Sequence, residues 1–252
     1  MTPLEIHYKP FPALNFIRKI HTSYPDSWKE LTPSQFISAS CVFKESITDD
    51  HLISSLLNIN KTIVSKLLKY QKLKIIESFV FLKTFTPCYE FFLPHIAGFN
   101  SPKPRLKDET FGCFIFAETY FERYTATSEP EFLSKFIACL YRDCEFKESG
   151  ITDRSRIIAK QPSINQEAIY INYILIREWY TLEYPLVFQP AEDLSKREKL
   201  TWLDVYDILL GDDIDKEEEY AKLPMSNTLN STPDGQRIHT GDLLVYQWQA
   251  DQ

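Results

Sequence analysis

Glycine is scarce in this sequence, with 6 among 252 residues, whereas proteins contain about 7% on average. Loops that hold nucleotide phosphates are built from clustered glycines, so the scarcity argues against a Rossmann or P-loop cofactor site. The longest apolar run, AIYINYILI, falls far short of the ~20 residues that span a bilayer. The N-terminal MTPLEIHYKPFP has no basic region followed by an apolar core. We therefore expect a cytoplasmic protein without a membrane partner.

The motifs of metal sites and hydrolytic enzymes are also missing. The 5 histidines are scattered, with no H-E-x-x-H and no pair four residues apart. The 5 cysteines form no C-x-x-C pattern, and G-x-S-x-G is absent. We predict reduced cysteines that mostly fill the core, no metal, no cofactor and no catalytic residues, in a protein that is not an enzyme.

Charge is distributed unevenly along the chain. Residues 51–107 hold nine Lys or Arg and two acids, which gives +7, while residues 192–222 hold five bases and eleven acids, which gives −6. Such asymmetry favours oriented docking on a partner. The alternative is that both segments are solvated helix faces, and the sequence leaves both interpretations open.

Helical periodicity runs through most of the chain. Thr32 and Pro33 form a helix start, with a capping hydroxyl before a proline at the first helical position. Thr48 precedes Asp49 and Asp50, which places acids at the positive end of a helix dipole. These patterns predict an all-α, compact multi-helix bundle. We expect one helical domain over residues 1–223, with its core in 30–220, followed by a loop-rich C-terminal extension.

The clearest structural unit lies between Thr110 and Arg142 and is predicted to be a hairpin of two helices. In the first helix a narrow polar strip interrupts an aromatic surface, which predicts burial over most of the circumference. The second helix is expected to pack on one side only, with six apolar residues on one face. The polar strip is Glu118, Thr119, Glu122 and Arg123, and the apolar face is Phe132, Leu133, Phe136, Ile137, Leu140 and Tyr141. Residues 168–180 are apolar almost all round and predict a central core helix.

The segment LLNINKTIVSKLLKYQKLKII is typical of a helix-turn-helix. A first helix over 49–57 and a turn at 58–60 would precede a basic second helix of the kind that enters the major groove of DNA. Few residues at the start of that second helix suit base reading, since only Lys61, Thr62 and Ser65 are candidates. A basic face on a helical bundle explains the same pattern. The predicted partner-binding lysines are Lys61, Lys66, Lys69 and Lys72, with Lys74 on the same helix.

Beyond Pro224 the sequence becomes rich in Ser, Asn, Thr, Pro and Gly, and it ends in an apolar cluster that includes Leu243, Tyr246 and Trp248. This cluster is expected either to fold back, as a short strand paired with Leu4–Tyr8, or to bind a partner, for which Tyr and Trp are favourable residues. Residues 224–252 are therefore treated as a separate tail.

The succession of apolar and aromatic positions over roughly residues 50–220 resembles a group of helical proteins encoded in phage and prophage regions of the Bacteroidetes. The most distinctive positions are Thr110-Phe111-Gly112, Leu140-Tyr141-Arg142 and Trp202. The resemblance implies a setting in tail morphogenesis, and hence a tail assembly factor or chaperone that binds phage tail or virion components in the host cytoplasm. We expect protein partners first; a DNA-binding regulator using residues 49–74 is the alternative.

Overall fold

A computed structural model describes residues 1–10, 17–44, 47–84, 86–183 and residue 222. In these residues the chain is mostly α-helical, with two small two-stranded sheets, which confirms the predicted helical class. The chain divides into two compact units, Met1–Pro87 and Cys88–Gln252, where the sequence analysis grouped residues 1–223 together. We call them unit 1 and unit 2 and describe each by itself.

Unit 1 begins with a β-hairpin and continues with four α-helices. Strand β1 (Thr2–Tyr8) pairs antiparallel with β2 (Arg18–Tyr24), with Ile6 opposite Ile20. The helices are α1 (Pro33–Ser40), α2 (Asp49–Leu57), α3 (Lys61–Val64) and α4 (Lys69–Ser78).

The predicted helix starts of unit 1 are confirmed. The hydroxyl of Thr32 accepts a hydrogen bond from the Gln35 amide, and the Gln35 side chain binds the Thr32 amide in return, so both orphan donors of α1 are satisfied. Thr48 caps α2 by accepting from the His51 amide.

The core of unit 1 is built around Trp28, which is 5% exposed. Its indole N–H donates to the Phe81 carbonyl at 3.0 Å and to the Thr84 hydroxyl at 3.1 Å. Its ring contacts Phe36 and Phe81 edge-on. A buried tryptophan with its polar atom satisfied contributes a large apolar area at little desolvation cost.

The described part of unit 2 contains a short hairpin and four further α-helices. Strands β3 (His95–Ile96) and β4 (Phe99–Asn100) pair antiparallel. They precede α5 (Phe111–Thr127), α6 (Pro130–Leu140), α7 (Ile151–Ile158) and α8 (Ser163–Glu183).

Helices α5 and α6 form the predicted hairpin. The connection is short: α5 continues to Thr127, and Ser128 takes the left-handed conformation that ends it. Between Ala168 and Tyr180, all residues of α8 except Glu178 are buried or half-buried, as expected for a core helix.

Two predictions about this hairpin are wrong. Helix α6 does not pack on one side only, because Ser134, Ala138 and Cys139 are buried as fully as Phe136 and α6 contacts α7 and α8 as well as α5. Small side chains let a second layer of helices approach that face. Nor is Glu118 part of an outward strip, since it is 0% exposed; it is held inside by α8.

The two buried carboxylates Glu109 and Glu118 of unit 2 are each paired with an arginine. The Glu118 carboxylate accepts from the Tyr173 hydroxyl at 2.6 Å and lies 2.8 Å from the Arg177 guanidinium. The second internal pair joins Glu109 to Arg142, whose guanidinium also donates to the Cys139 carbonyl at 2.9 Å. Cations at the carbonyl end of α6 are favoured by its dipole.

Some predictions fall outside the described residues. These are the C-terminal tail, with its partner-binding candidates Leu243, Tyr246 and Trp248, and the position of Trp202. The extended segment Leu4–Tyr8 does form a strand, and among the described residues its partner is β2.

Candidate interaction surface

The lysine-rich segment of unit 1 forms only part of the predicted helix-turn-helix. Helix α2 ends at Leu57, and Asn58 adopts a left-handed conformation (φ 50°) that turns the chain. The side chain of Asn60 then accepts from the Thr62 amide and starts α3. The first helix and the turn are thus confirmed at the predicted residues.

The predicted continuous second helix is wrong. Helix α3 has 4 residues, Lys61–Val64, and a separate helix α4 begins at Lys69. Residues 65–67 turn the chain between them, and both Val64 and Leu67 are buried. The lysines at positions 61 and 72 therefore lie on different helices.

The structure separates the four predicted lysines into two classes. Lys61, Lys66 and Lys69 are exposed. The ammonium of Lys72 lies 2.6 Å from the Asp50 carboxylate, with 19% of its side chain exposed. Lys72 therefore joins α4 to the first turn of α2, and its role is structural; it is not part of the open surface.

An exposed apolar patch lies among the remaining lysines. Leu68 is 59% exposed, Tyr70 58% and Leu73 47%. Residues 69, 70, 73 and 74 share one face of α4, because three or four residues make one helical turn. We define the basic apolar strip as Lys66, Leu68, Lys69, Tyr70, Leu73 and Lys74, all of which are exposed.

Gln71 holds the strip in place. Its side-chain oxygen accepts from the Leu68 amide at 3.0 Å, which caps the start of α4. Its amide nitrogen donates to the His7 carbonyl of β1 at 3.1 Å. On the inner side Ile75 is 6% exposed. The strip is therefore anchored by side chains that point away from it.

Sequence reasoning identified the lysines of the strip and missed its apolar members. The available signal was that Lys69, Lys72 and Lys74 leave α4 a single short buried face. An apolar residue between two lysines on the same side of such a helix has no core to enter.

Burial makes the three buried cysteines of unit 2, Cys88, Cys113 and Cys139, poor nucleophiles. Burial raises the pKa of Cys88 to about 11 and that of Cys139 to about 12, and it raises the pKa of Cys113 well above its usual range. A nucleophilic cysteine needs a lowered pKa. In the part of the chain that the structure describes, no group of three His, Cys, Asp or Glu residues is placed to hold a metal ion.

Comparison with known proteins gives no further assignment: no family model, no curated protein and no solved structure matches this chain significantly. Among the described helices, none combines the length and apolar character that crossing a membrane requires.

Proposed function

We propose that this protein acts by binding other proteins, as an assembly factor or chaperone of the phage or prophage tail type, and that the basic apolar strip is its contact surface. The observation that carries the proposal is the exposure of Leu68, Tyr70 and Leu73 on a helix face flanked by lysines. Large apolar patches with a polar rim are typical of protein interaction sites.

The composition of the strip defines the partner. Lys66, Lys69 and Lys74 favour an acidic protein surface, since complementary charge speeds encounter and fixes orientation. Tyr70 supplies the residue type that most often dominates binding energy. The expected partner is therefore an acidic protein segment with an apolar centre, and the sequence resemblance suggests that it belongs to a tail or virion component.

The test pairs two variants of unit 1. We expect Tyr70→Ser with Leu73→Ser to weaken binding of the acidic protein partner by at least about tenfold, or ~1.4 kcal/mol. Val80→Ser is the matched control, because Val80 is 63% exposed but lies outside the strip. Isothermal titration calorimetry gives both affinities. Equal binding by the two proteins, each shown to be folded, contradicts the proposal.

DNA binding is the second candidate, supported by helix α2 with the turn that follows it and by the exposure of Lys61, Lys66 and Lys69. A regulator would bind duplex DNA with an affinity that falls steeply with salt. We expect no sequence-specific binding at ~0.15 M salt, measured by fluorescence anisotropy. Specific binding that is lost when these three lysines are changed to Glu would replace the protein-binding proposal.

A further inference from the structure

Unit 2 carries an arginine set in an aromatic corner. The guanidinium carbon of Arg105 lies 4.5 Å from the ring centroid of Tyr89 and 4.7 Å from that of Trp179. The two centroids are 5.8 Å apart, so the rings form adjacent walls and do not enclose the guanidinium from opposite sides. Arg105 is exposed. The side chain is therefore held by cation–π contacts on one side while its other side faces solvent.

The backbone at this position is strained. Arg105 has φ 58° and ψ 26°, and Leu106, which follows it, has φ 51°. Left-handed conformations cost non-glycine residues of the order of 1–3 kcal/mol each. The strain is fixed by the Arg105 amide, which donates to the Tyr89 carbonyl at 2.8 Å, and by the Tyr180 hydroxyl, which donates to the Arg105 carbonyl.

The side chains explain why neither strained position is a glycine. Leu106 is 1% exposed and fills the core of unit 2. Arg105 fills no core. A glycine would adopt the Arg105 conformation without cost, so the backbone by itself does not require an arginine here.

This guanidinium also differs from other arginines of unit 2. Arg142 is paired with Glu109, Arg177 with Glu118 and Arg156 with Asp153. For Arg105, the described residues provide ring contacts and no carboxylate. The nearby carboxylate of Asp108 is paired with Lys103. The fork of N–H donors on Arg105 is thus fixed in place before any anion arrives.

The geometry points to a carboxylate-binding site at Arg105, which takes an acidic side chain or the C-terminal carboxylate of a partner protein. A guanidinium offers two parallel N–H donors that match the two oxygens of a carboxylate. Rings that hold it still reduce the entropy lost on binding. Leu182, in the last turn of α8 and three residues beyond Trp179, is 80% exposed, which favours a carboxylate carried next to an apolar side chain.

The charge around the corner favours a carboxylate over a polyanion. Nucleic acid binding depends on several uncompensated cations, because its affinity comes from phosphate contacts. Here the positive and negative charges are equal in number. Lys103, Arg105 and Lys107 lie in the loop with Asp108, and Glu90 and Glu178 adjoin Tyr89 and Trp179 in the sequence. The inference rests on unit 2 alone and is independent of the function proposed for unit 1.

Side-chain NMR of the intact protein provides the test. The N–H signals of Arg105 and Arg123 are followed in one spectrum while four probes are added at constant ionic strength. Arg123 is the internal control, since it is exposed and its guanidinium lies over one ring only, 5.7 Å from the Phe132 centroid. The probes are acetyl-Leu-Glu-amide, acetyl-Leu with a free carboxylate, neutral acetyl-Leu-Gln-amide, and inorganic phosphate.

We expect a carboxylate probe to shift the Arg105 signal saturably, with an affinity at least fivefold higher than at Arg123. The stronger of the two carboxylate probes identifies the source as a side chain or a chain terminus. Arg105→Lys keeps the charge and removes the fork, and we expect it to reduce binding at least fivefold with an unchanged melting temperature. Equal shifts at both arginines, a shift by the neutral probe, or tighter binding of phosphate overturns the inference.

Discussion

The two units place their charges differently. In the described part of unit 1 the buried polar residues are Gln35 and Ser40, which are neutral, whereas unit 2 buries Glu109, Glu118 and Arg154. Unit 1 instead leaves Leu68, Tyr70 and Leu73 exposed among lysines. Unit 2 pairs its buried carboxylates with arginines, while unit 1 exposes three large apolar side chains close together along the chain.

The difference has a physical basis in helix packing. In unit 2, α6 is covered by α5, α7 and α8, and the buried carboxylates Glu109 and Glu118 are each paired with an arginine, because an unpaired buried charge is costly. In unit 1, α4 buries a single residue fully, Ile75. A helix with so narrow a buried face can carry lysines and leucines side by side on its outer surface.

Truncating one aromatic side chain in each unit should give the largest difference in unfolding free energy between the two units. Phe136 of unit 2 is 0% exposed and Tyr70 of unit 1 is 58% exposed. We expect Phe136→Ala to lower the free energy of unfolding by about 3–5 kcal/mol, through lost transfer energy and a cavity. Tyr70→Ala should lower it by less than about 0.5 kcal/mol. Chemical denaturation measures both.

Lys135→Ala is the control on α6 itself, because its ammonium pairs with Glu131 one turn away, a contact worth about 0.3–0.5 kcal/mol. Similar losses for Phe136→Ala and Tyr70→Ala would mean that the strip is part of a core, and the contrast between the units would disappear.

Breaking the internal ion pair between Glu118 and Arg177 of unit 2 should give the next largest loss of stability. We expect Glu118→Gln to cost up to about 3 kcal/mol of unfolding free energy, because it removes the carboxylate nearest to the Arg177 guanidinium, at 2.8 Å, while Glu122 lies at 3.9 Å. Replacing Glu118 and Arg177 together by Met should recover most of the loss, since an apolar pair has no charge to desolvate. Denaturation of the single and double variants tests this. A double variant as unstable as the single one would show that lost packing, and not an unbalanced charge, causes the loss of unfolding free energy.

Local patterns predicted the helices well because their causes are local. Thr32 and Thr48 cap helices with their own side chains, and Phe136 and Leu140 mark a buried face by spacing alone. The break between α3 and α4 was missed, since the direction of Val64 and Leu67 depends on the core they enter. Glu118 could not be placed from sequence, because its partners Tyr173 and Arg177 lie more than fifty residues away.

The same reasoning applies to the candidate sites. Three lysines of the strip could be predicted from charge, and Lys72 could not be excluded because its partner Asp50 belongs to another helix. The corner at Arg105 joins residues 89, 105 and 179, and no local motif relates them.

Alkaline pH should destabilise unit 2 through its buried thiols. Burial raises the pKa of Cys88 to about 11 and that of Cys139 to about 12. The folded state keeps these thiols neutral, while the unfolded state ionises them at ordinary pKa values. Stability is therefore complete below about pH 8.5 and falls above it, by up to ~1.4 kcal/mol per pH unit for each group.

Unfolding in urea between pH 8 and pH 10.5, under reducing conditions, measures this slope. Cys139→Ala removes one of the titrating groups and should flatten the dependence, although the protein is less stable overall. A variant with the same slope as the parent would show that other groups control alkaline unfolding.

The smallest effect concerns the surface carboxylates of unit 1. Glu5 on β1 is paired with His7 on the same strand and with Lys19 on β2, at 2.9 Å from the latter, and these contacts lower the pKa of Glu5 to about 2. A depressed carboxylate pKa stabilises the folded state above the unfolded value and loses that contribution as the pH falls towards 2. Because Glu5 is exposed to solvent, salt screens the contribution and its effect on overall stability should be slight.

Carbon-13 NMR can follow the Glu5 carboxyl directly while the rest of the protein stays folded. We expect its titration midpoint to lie well below the ordinary value, and to move upward in His7→Ala more than in Lys19→Ala, because the histidine contact is the larger cause of the shift. Raising the salt concentration should move the midpoint in the same direction. A midpoint that is unchanged in both variants would mean that the hairpin does not hold the Glu5 carboxylate against His7 and Lys19. Unit 1 would then lack this stabilising polar contact on its charged surface as well.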